Sequence, residues 1–351
     1  MYTREIQAPR TTPLENGVPL QGTWTRAFEE VDLLDIRKPY PIPWPAWIRD
    51  FRIKEWERFI IQDDRYCLFA LFCNLKIFRI ASLTMYDRET GEHLRCRKII
   101  PGRGWHLPKR LNNASVDSRS MGFFFRIHAW LDSGTVSLDL DVEPGRTRPS
   151  FTAYAKYNIH DSGQNNTPMA VSLLFSERRS MYAYKVMAPV QGDMVFGGRH
   201  IYLDPAKTAG IFCDFKGFYP YRMQTCWCSA TGFDQAGRRF GFSLAENQAR
   251  ESFRNNENAL WLDGRLTPLP PVMITMPGGI NSEWVIQDME GMVDLVFTPR
   301  QPSSYTMNLL ACRSDHQNPI GVFNGVMVNA QGEEIQIKNL WGISEKLYLR
   351  V

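Results

Sequence analysis

A chain of 351 residues is longer than one hydrophobic core usually serves, so its length favours two domains. The composition is that of a soluble globular protein, with 44% hydrophobic and 22% charged residues. Its 41 Lys and Arg residues against 37 Asp and Glu residues give a dispersed net charge of +4, which argues against nucleic acid as a partner.

The sequence shows neither a membrane span nor a secretion signal. No run of about 18 apolar residues occurs, so no transmembrane helix is predicted. The opening segment, Met1 to Gln7, lacks the apolar core of a secretory signal. We therefore expect a cytoplasmic protein.

The seven cysteines form an odd set without paired CxxC spacing, which argues against a zinc ribbon or a disulfide scaffold. The six histidines are scattered, and no HExxH motif occurs. We predict reduced thiols, no metal and no other cofactor. Cys226 and Cys228 are two residues apart and would share one face of a strand, either as a redox pair or, as we expect, as small buried apolar residues.

Prolines and aromatic residues dominate residues 1–50, most densely between Pro39 and Pro45. Prolines remove backbone donors and restrict the residue before them, so that run cannot form a helix. We expect an extended lead-in that wraps around the body, with Trp24, Trp44 and Trp47 as anchors.

From about residue 51 onward, alternating apolar and polar residues predict strands. Val136 to Val142 is the clearest example, because its apolar residues alternate with Ser and Asp and leave one face in water. Turn signals containing glycine separate such runs, at residues 88–91, 132–134, 234–237, 263–264, 289–291 and 329–332. Strands joined in this way form antiparallel meanders. Ala245–Asn255 is the best helix candidate, and it is short.

So many strands must close into barrels or pack as sandwiches, because open edges would otherwise remain. The predicted fold is all-β and antiparallel with few short helices, and a chain of this length would form either two barrels or one large sandwich pair. We place the joint near Ala188–Gly192, which gives domains at residues 1–190 and 191–351.

The segment from Asp214 to Gly232 concentrates polar chemistry at a bend before a strand. It holds a carboxylate, a cation, two phenols, a guanidinium and two thiols, and Gly217 and Pro220 interrupt the backbone. Loops position reacting groups and strands hold them rigidly, so this segment is the first candidate for a site. The alternative is a hairpin corner whose Tyr and Arg side chains cover the surface.

Several segments resemble the family of unknown function numbered 2804. They are Gly22-Thr-Trp-Thr-Arg26, Lys54-Glu-Trp-Glu57, Tyr184-Lys185, Asp214–Gly232, Asn256–Leu266, Val293–Pro299 and the run from His316 to Gly325. The resemblance covers roughly residues 15 to 350. Two segments depart from the family pattern: His316–Gly321 carries extra residues, and Gly342–Glu345 lacks a His before its Glu.

The sequences of this family are similar in style to those of a two-barrel, lipocalin-like group. That group includes carotenoid hydratases, tocopherol cyclases and fungal Diels–Alder cyclases. This resemblance implies two lipocalin-like antiparallel β-barrels, with a small, largely apolar ligand held in a barrel cavity. It also implies a substrate-binding role for Lys185.

Three residues are candidate catalytic groups: Asp214, Glu257 and His316. Either carboxyl could be a general acid, because apolar walls keep carboxyls protonated near neutral pH. The alternatives are a structural bridge from Asp214 to Arg222 or Lys216, and a turn or capping role for Glu257. His316, beside Asp315, could be a proton shuttle or simply a hydrogen-bonded side chain.

Four further residues are candidate pocket walls: Tyr219, Tyr221, Arg222 and Trp227. The phenols and the guanidinium would orient a polar group, and Trp227 would cover an apolar one. Ordinary barrel packing is the alternative.

The sequence contains no GxSxG, P-loop or strand–helix GxGxxG motif, so serine hydrolases and nucleotide-binding enzymes are poor hypotheses. The favoured hypothesis is a cofactor-independent enzyme that hydrates, isomerises or cyclises its ligand by acid catalysis. A non-catalytic carrier of a small molecule is the alternative. A glycosidase that uses Asp214 and Glu257 is a second alternative.

Overall fold

A computed structural model describes residues 2–102, 107–146, 148–161, 164–309 and 312–350. Strands make up 59% of the chain and helices 4%, which confirms the all-β prediction. The strands of the first half are β1 (Leu14–Glu15), β2 (Val18–Pro19), β3 (Gly22–Trp24), β4 (Lys54–Gln62), β5 (Tyr66–Asn74), β6 (Phe78–Asp87), β7 (His93–Pro101), β8 (Ala114–Ser120), β9 (Phe123–Trp130), β10 (Thr135–Val142), β11 (Phe151–Asn158), β12 (His160–Asp161), β13 (Gln164–Asn165), β14 (Met169–Leu174), β15 (Ser180–Phe196), β16 (Arg199–Leu203) and β17 (Ala209–Gly217).

The remaining strands follow Arg222. They are β18 (Arg222–Phe233), β19 (Arg239–Glu246), β20 (Ala259–Leu262), β21 (Arg265–Pro268), β22 (Val272–Thr275), β23 (Trp284–Asp288), β24 (Val293–Gln301), β25 (Ser304–Leu309), β26 (Cys312–Gln317), β27 (Ile320–Val328) and β28 (Glu334–Arg350).

Two large antiparallel sheets form two near-barrels. The first barrel is a sheet of 13 strands, in the order β7-β6-β5-β4-β17-β15-β11-β10-β9-β8, with β14 and β16 on β15 and β3 on β14. The second barrel has 11 strands, in the order β21-β20-β19-β18-β28-β27-β24-β23-β22, with β25 and β26 joined to β28 through β26. The hairpins β1–β2 and β12–β13 stand apart. This architecture confirms the two-barrel prediction.

The predicted turns are confirmed, because each joins two antiparallel neighbours. The six turns connect β6 to β7, β9 to β10, β18 to β19, β20 to β21, β23 to β24 and β27 to β28. At the β18–β19 turn, Gly237 has a φ of +76°, a conformation that glycine adopts without strain. Val136, Leu138, Leu140 and Val142 are all buried on β10, as predicted.

The predicted joint near Ala188–Gly192 lies inside β15, which runs unbroken for 17 residues. Within that strand Gly192 has a φ of +151°, and a Cβ atom there would come within 1.9 Å of the Tyr154 carbonyl oxygen. The chain leaves the first barrel after Gly217 and enters the second at Arg222. The division into two domains stays a prediction.

The predicted helix at Ala245–Asn255 is wrong. β19 continues to Glu246, and turns follow it. The Asn247 side chain accepts a hydrogen bond from the Ala249 N–H at 2.9 Å, which is a local alternative to helical pairing.

In the described part of the chain, one α-helix occurs, α1 (Ala46–Arg52), with short 3-10 turns at Leu33–Asp35 and Leu131–Ser133. α1 starts directly after Pro45, and no described helix is long and apolar enough to cross a membrane. Of the predicted anchors, Trp24 is fully buried and Trp44 half-buried. Trp47 is 64% exposed, so that prediction is wrong.

Three hydrophobic cores organise the molecule. One fills the first barrel, where Phe72 on β5 stacks on Phe125 on β9 with ring centroids 4.1 Å apart. Another fills the second barrel, around Phe242 and Phe323. The third, which we call the interbarrel core, lies between the outer face of β4, β15 and β17 and the strands β18, β19 and β28.

Strand alternation assigns side chains to these cores. On β17, Phe212 belongs to the core of the first barrel, whereas Cys213 and Phe215 belong to the interbarrel core. Asp214 therefore shares the inward face with Phe212.

Candidate functional site

The interbarrel core contains a small void lined by aromatic, aliphatic and polar side chains. Its volume is about 20 Å³, and its lining includes Trp56, Phe175, Phe215, Tyr219, Trp227 and Glu257. A second void of about 30 Å³ shares Arg58 and Trp227 with the first. Each has room for about one or two water molecules.

A buried ion pair forms one wall of the void. Lys185 on β15 points into the interbarrel core, and its Nζ lies 2.7 Å from Oε2 of Glu257. Lys185 is completely buried, and its Nζ also donates to Ser243 Oγ at 3.0 Å. The other Glu257 oxygen, Oε1, accepts from Asn247 Nδ2 at 2.7 Å. The Glu257 carboxylate is thus held in one orientation.

Trp227 on β18 is tied to this pair. Its Nε1 donates to Ser243 Oγ at 3.0 Å, the same oxygen that Lys185 contacts. The Arg58 guanidinium lies over the Trp227 ring, 4.2 Å from the centroid. Arg58 and Lys185 therefore place two cations beside one indole.

Arg58 belongs to a second buried network. It forms an ion pair with Oε1 of Glu345, and His316 Nε2 donates to Oε2 of Glu345 at 2.7 Å. Burial acts to raise the pKa of Glu345, but Arg58 and His316 outweigh it and hold the pKa at about 2. His316 thus reaches the void only through Glu345 and Arg58.

His316 is hydrogen-bonded to Glu345 and not to its sequence neighbour Asp315. His316 and Asp315 are neighbours on β26, so their side chains point to opposite faces. Asp315 instead pairs with Arg313 at 2.8 Å.

Tyr219 is the one phenol of the Asp214–Gly232 segment that reaches the void. Its ring stacks on Trp56 with centroids 4.6 Å apart, and its hydroxyl is buried with no hydrogen-bond partner in the described part of the chain. Burial, with the nearby Glu257 carboxylate, raises the pKa of Tyr219 well above its usual value. Gly217 makes room for it, since a Cβ there would lie 2.7 Å from the Tyr219 ring.

Tyr221 and Arg222 are not in the site. Both are exposed, and the Tyr221 ring packs under the guanidinium of Arg52, 5.7 Å away. Pro220 turns the chain between Tyr219 and Tyr221, so the first phenol is buried and the second is exposed.

Asp214 lies in a separate cluster inside the first barrel. It is the cross-strand neighbour of Glu57 on β4. Both Asp214 carboxyl oxygens, Oε2 of Glu57 and the Tyr182 hydroxyl are buried without hydrogen-bond partners among the described residues. Burial raises the pKa of Asp214 to about 6 against the opposing charge of Lys216, and burial together with Asp214 raises the pKa of Glu57 well above its usual value. Asp214 and Glu257 thus face opposite sides of the first sheet.

The structure therefore brings together Lys185, Tyr219, Trp227 and Glu257, and His316 is linked to them through Glu345 and Arg58. Sequence reasoning missed the roles of Arg58, Ser243 and Glu345. Glu345 closes the quoted Gly342–Glu345 segment, and Arg58 directly follows the Lys54–Glu57 motif.

An open cleft adjoins the void. Its volume is about 770 Å³, and it shares Gln224, Thr225, Asn247 and Gln248 with the lining of the void. This wall separates the aromatic interior from solvent.

Within the described residues, the cysteines form no disulfide and the acidic side chains form no metal site. All seven cysteines are unpaired thiols, and only Cys226 is partly exposed. Among the described residues, no group of three or more His, Cys, Asp or Glu side chains is arranged to hold a metal ion.

A family model described as a domain of unknown function, DUF2804, matches residues 3–350. The chain belongs to this family. No curated protein matches this DUF2804 member.

Solved structures share its fold at low sequence identity. CghA, solved with Sch210972, is 11% identical, with a TM-score of 0.53 over 85% of this chain and 88% of CghA. Kievitone hydratase from Nectria haematococca is 13% identical, with a TM-score of 0.51 over 84% of this chain and 88% of the hydratase. The predicted kinship of fold with a two-barrel group that includes hydratases is confirmed.

Proposed function

We propose that this protein is an enzyme that hydrates, isomerises or cyclises a small, largely apolar, unsaturated ligand at the interbarrel void. It works through its own side chains, without a cofactor. The observation that carries the proposal is the Tyr219 hydroxyl, which is buried without a partner at the void beside Glu257. An unsatisfied buried donor costs free energy, so its retention calls for an explanation.

Tyr219 acts as the proton or hydrogen-bond donor. The phenol is protonated at neutral pH, and burial raises its pKa further, so it can donate a hydrogen bond to a substrate oxygen. Arg58 supplies a second donor at the same void. Two donors aimed at one oxygen stabilise the negative charge that develops when a double bond conjugated to a carbonyl reacts.

Glu257 acts as the proton acceptor and donor at carbon. Lys185 and Asn247 fix its two oxygens, so the carboxylate keeps one position. In a hydration, Glu257 takes a proton from the attacking water and returns it to the neighbouring carbon. In an isomerisation, it removes a proton from one carbon and delivers it to another. Neither reaction requires an electron carrier or a net proton.

The aromatic walls account for the choice of ligand. Trp56, Phe175 and Phe215 offer apolar surface around the void. The void itself holds about one water, so a ligand enters as the exposed Gln224 and Gln248 side chains move aside. Similarity of fold to kievitone hydratase supports this reaction class only by analogy.

We assign the acid–base chemistry to Tyr219 and Glu257 instead of Asp214. The Asp214 carboxyl shares the inward face of β17 with Phe212 and lines neither void. The same separation weighs against a glycosidase that pairs Asp214 with Glu257, because both acids must flank one bond.

The test compares three proteins incubated with a small-molecule extract and followed by mass spectrometry. The wild type should convert a component to a product heavier by one water or of equal mass. Tyr219→Phe should lower the rate roughly 10²–10⁴-fold, as loss of general acid help does. Tyr221→Phe is the matched control and should act like the wild type, because Tyr221 is 51% exposed.

Two results contradict the proposal. Full turnover by Tyr219→Phe would remove the hydroxyl from the mechanism. A ligand that copurifies with the wild type and is never converted would make the protein a carrier.

A further inference from the structure

The open cleft is the mouth of the second barrel, beyond its apolar core. Strand pairing aligns four cleft side chains in one row across β19, β18, β28 and β26: Glu246, Cys226, Lys346 and Gln317. Gln224 and Tyr348 form the start of a second row, and they too are directly paired. The rows turn a carboxylate, a thiol, an ammonium, two amides and a phenol toward one space.

Many of these groups have unused hydrogen-bonding capacity. The side chains of Gln224, Gln317 and Lys346 make no hydrogen bond or ion pair within the described residues. Glu246 uses Oε2 to accept from the Ile274 N–H at 2.9 Å, which leaves Oε1 free. The cleft thus offers donors and acceptors side by side.

This mixture of hydrogen-bond donors and acceptors determines which class of ligand fits the cleft. An anion would meet Glu246 and Asp315 as well as Lys346, and an apolar group would leave the amides without partners. Hydroxyl groups both donate and accept, so several of them on a neutral ring or chain fit this lining. The volume of about 770 Å³ is within the range of small-ligand sites.

The cleft also communicates with the reacting groups. Asn247 lies in the wall between cleft and void, and its Nδ2 holds Glu257 at 2.7 Å. A ligand that contacts Asn247 or Gln248 would therefore be sensed at Glu257.

We infer that the cleft is a binding subsite for a neutral, multiply hydroxylated group, and that the substrate is amphipathic. The hydroxylated end lies in the cleft, and the apolar, unsaturated end enters the interbarrel void. The subsite for a hydroxylated group rests on the cleft alone. The amphipathic substrate, whose apolar end enters the void, rests on the proposed function as well.

The experiment uses Cys226 as a reporter, because it lines the cleft and is the one partly exposed cysteine. Its alkylation rate is measured at alkaline pH, since burial raises the pKa of the thiol to about 11. The probe is hexyl β-glucoside below its micelle concentration, and hexanol is the matched apolar probe. Hexyl β-glucoside should slow alkylation in a saturable manner, and hexanol should not.

Substitutions then locate the binding. Gln317→Ala and Gln224→Ala should each weaken protection by the glucoside about 2- to 10-fold, as loss of one hydrogen bond does. Gln336→Ala on β28 is the control and should leave protection unchanged, because Gln336 is exposed outside the cleft.

Equal protection by hexanol, no protection by the glucoside, or unchanged protection in both cleft variants would overturn the subsite. The readout does not involve Tyr219 or catalysis. Failure of the subsite is thus distinguishable from failure of the proposed enzyme activity.

Discussion

Two buried polar clusters lie on opposite faces of the same strands. They differ in whether each buried charged group has a neighbour of opposite charge. In the interbarrel core, the charges of Lys185 and Glu257, and of Arg58 and Glu345, meet opposite charges. Inside the first barrel, Asp214 and Glu57 are two carboxyl groups side by side, and both Asp214 oxygens and Oε2 of Glu57 lack hydrogen-bond partners among the described residues. Paired charges persist when buried, whereas burial beside a second carboxyl raises the pKa of a carboxyl group. We propose that the interbarrel cluster is a prearranged charged site and the cluster inside the first barrel a pH-sensitive structural pair.

The largest expected effect comes from breaking a pair in the interbarrel core. Glu345→Gln leaves Arg58 buried without its counterion, which should lower the free energy of unfolding by about 3–5 kcal/mol. Urea denaturation measures the loss. Glu333→Gln is the control, because it breaks a surface ion pair with Arg238 that is screened by solvent and should change stability far less. Equal losses in the two variants would show that the interbarrel network is not specially sensitive.

The next prediction concerns the pH dependence of the first barrel. Raised carboxyl pKa values mean that the folded state binds more protons than the unfolded chain. The stability from Asp214 is therefore full below about pH 4 and is lost as the pH rises through about 6. With about 1.4 kcal/mol per pKa unit, the loss is about 3 kcal/mol.

Asp214→Asn should flatten that decline, whereas Asp139→Asn on the wet face of β10 should not. Chemical denaturation between pH 4 and pH 8 gives the measurement. An unchanged slope in Asp214→Asn would mean that Asp214 ionises without penalty in the folded protein.

A smaller loss of stability is expected when Gly217, which packs against Tyr219, is replaced. Gly217→Ala would place a Cβ 2.7 Å from the Tyr219 ring and 2.9 Å from Met181 Cβ. Overpacking of this kind costs about 1–3 kcal/mol. Gly145→Ala is the control, since its nearest contact, Arg148 Cβ, is an ordinary 3.5 Å away. A melting temperature unchanged in both would show that the Tyr219 ring moves freely.

The smallest effect is on the stability of Tyr219→Phe. Its hydroxyl has no hydrogen-bond partner among the described residues, so the unfolding free energy should stay within about 1 kcal/mol or rise. Tyr157→Phe is the counterpart, because the Tyr157 hydroxyl donates to the Ile60 carbonyl at 2.9 Å and its loss should cost about 1 kcal/mol. A large destabilisation by Tyr219→Phe alone would reveal a structural hydrogen bond.

The fold was predictable where the determinants are local. Alternation on β10 and the glycine turns, such as Gly237, specify hairpins within a few residues. The helix prediction at Ala245–Asn255 failed because the Asn247 side chain forms a local turn instead. Such side-chain competition depends on context that periodicity does not reveal.

The site was only partly predictable, because it is assembled from distant strands. Arg58 and Glu345 are 287 residues apart, and Lys185 meets Glu257 across 72 residues. The Asp214–Gly232 segment reads as one cluster in sequence. In the structure, strand alternation sends Asp214 into the first barrel, while the bend at Pro220 sends Tyr219 inward and Tyr221 to solvent.

We propose that chemistry occurs in the interbarrel core and not inside the first barrel. The most direct test is turnover by Tyr219→Phe and Asp214→Asn, side by side, on the converted compound at a pH where both are folded. We predict a loss of roughly 10²–10⁴-fold for Tyr219→Phe and near wild-type turnover for Asp214→Asn. A loss of that size for Asp214→Asn with full activity in Tyr219→Phe would contradict the account and move the reaction to the first barrel.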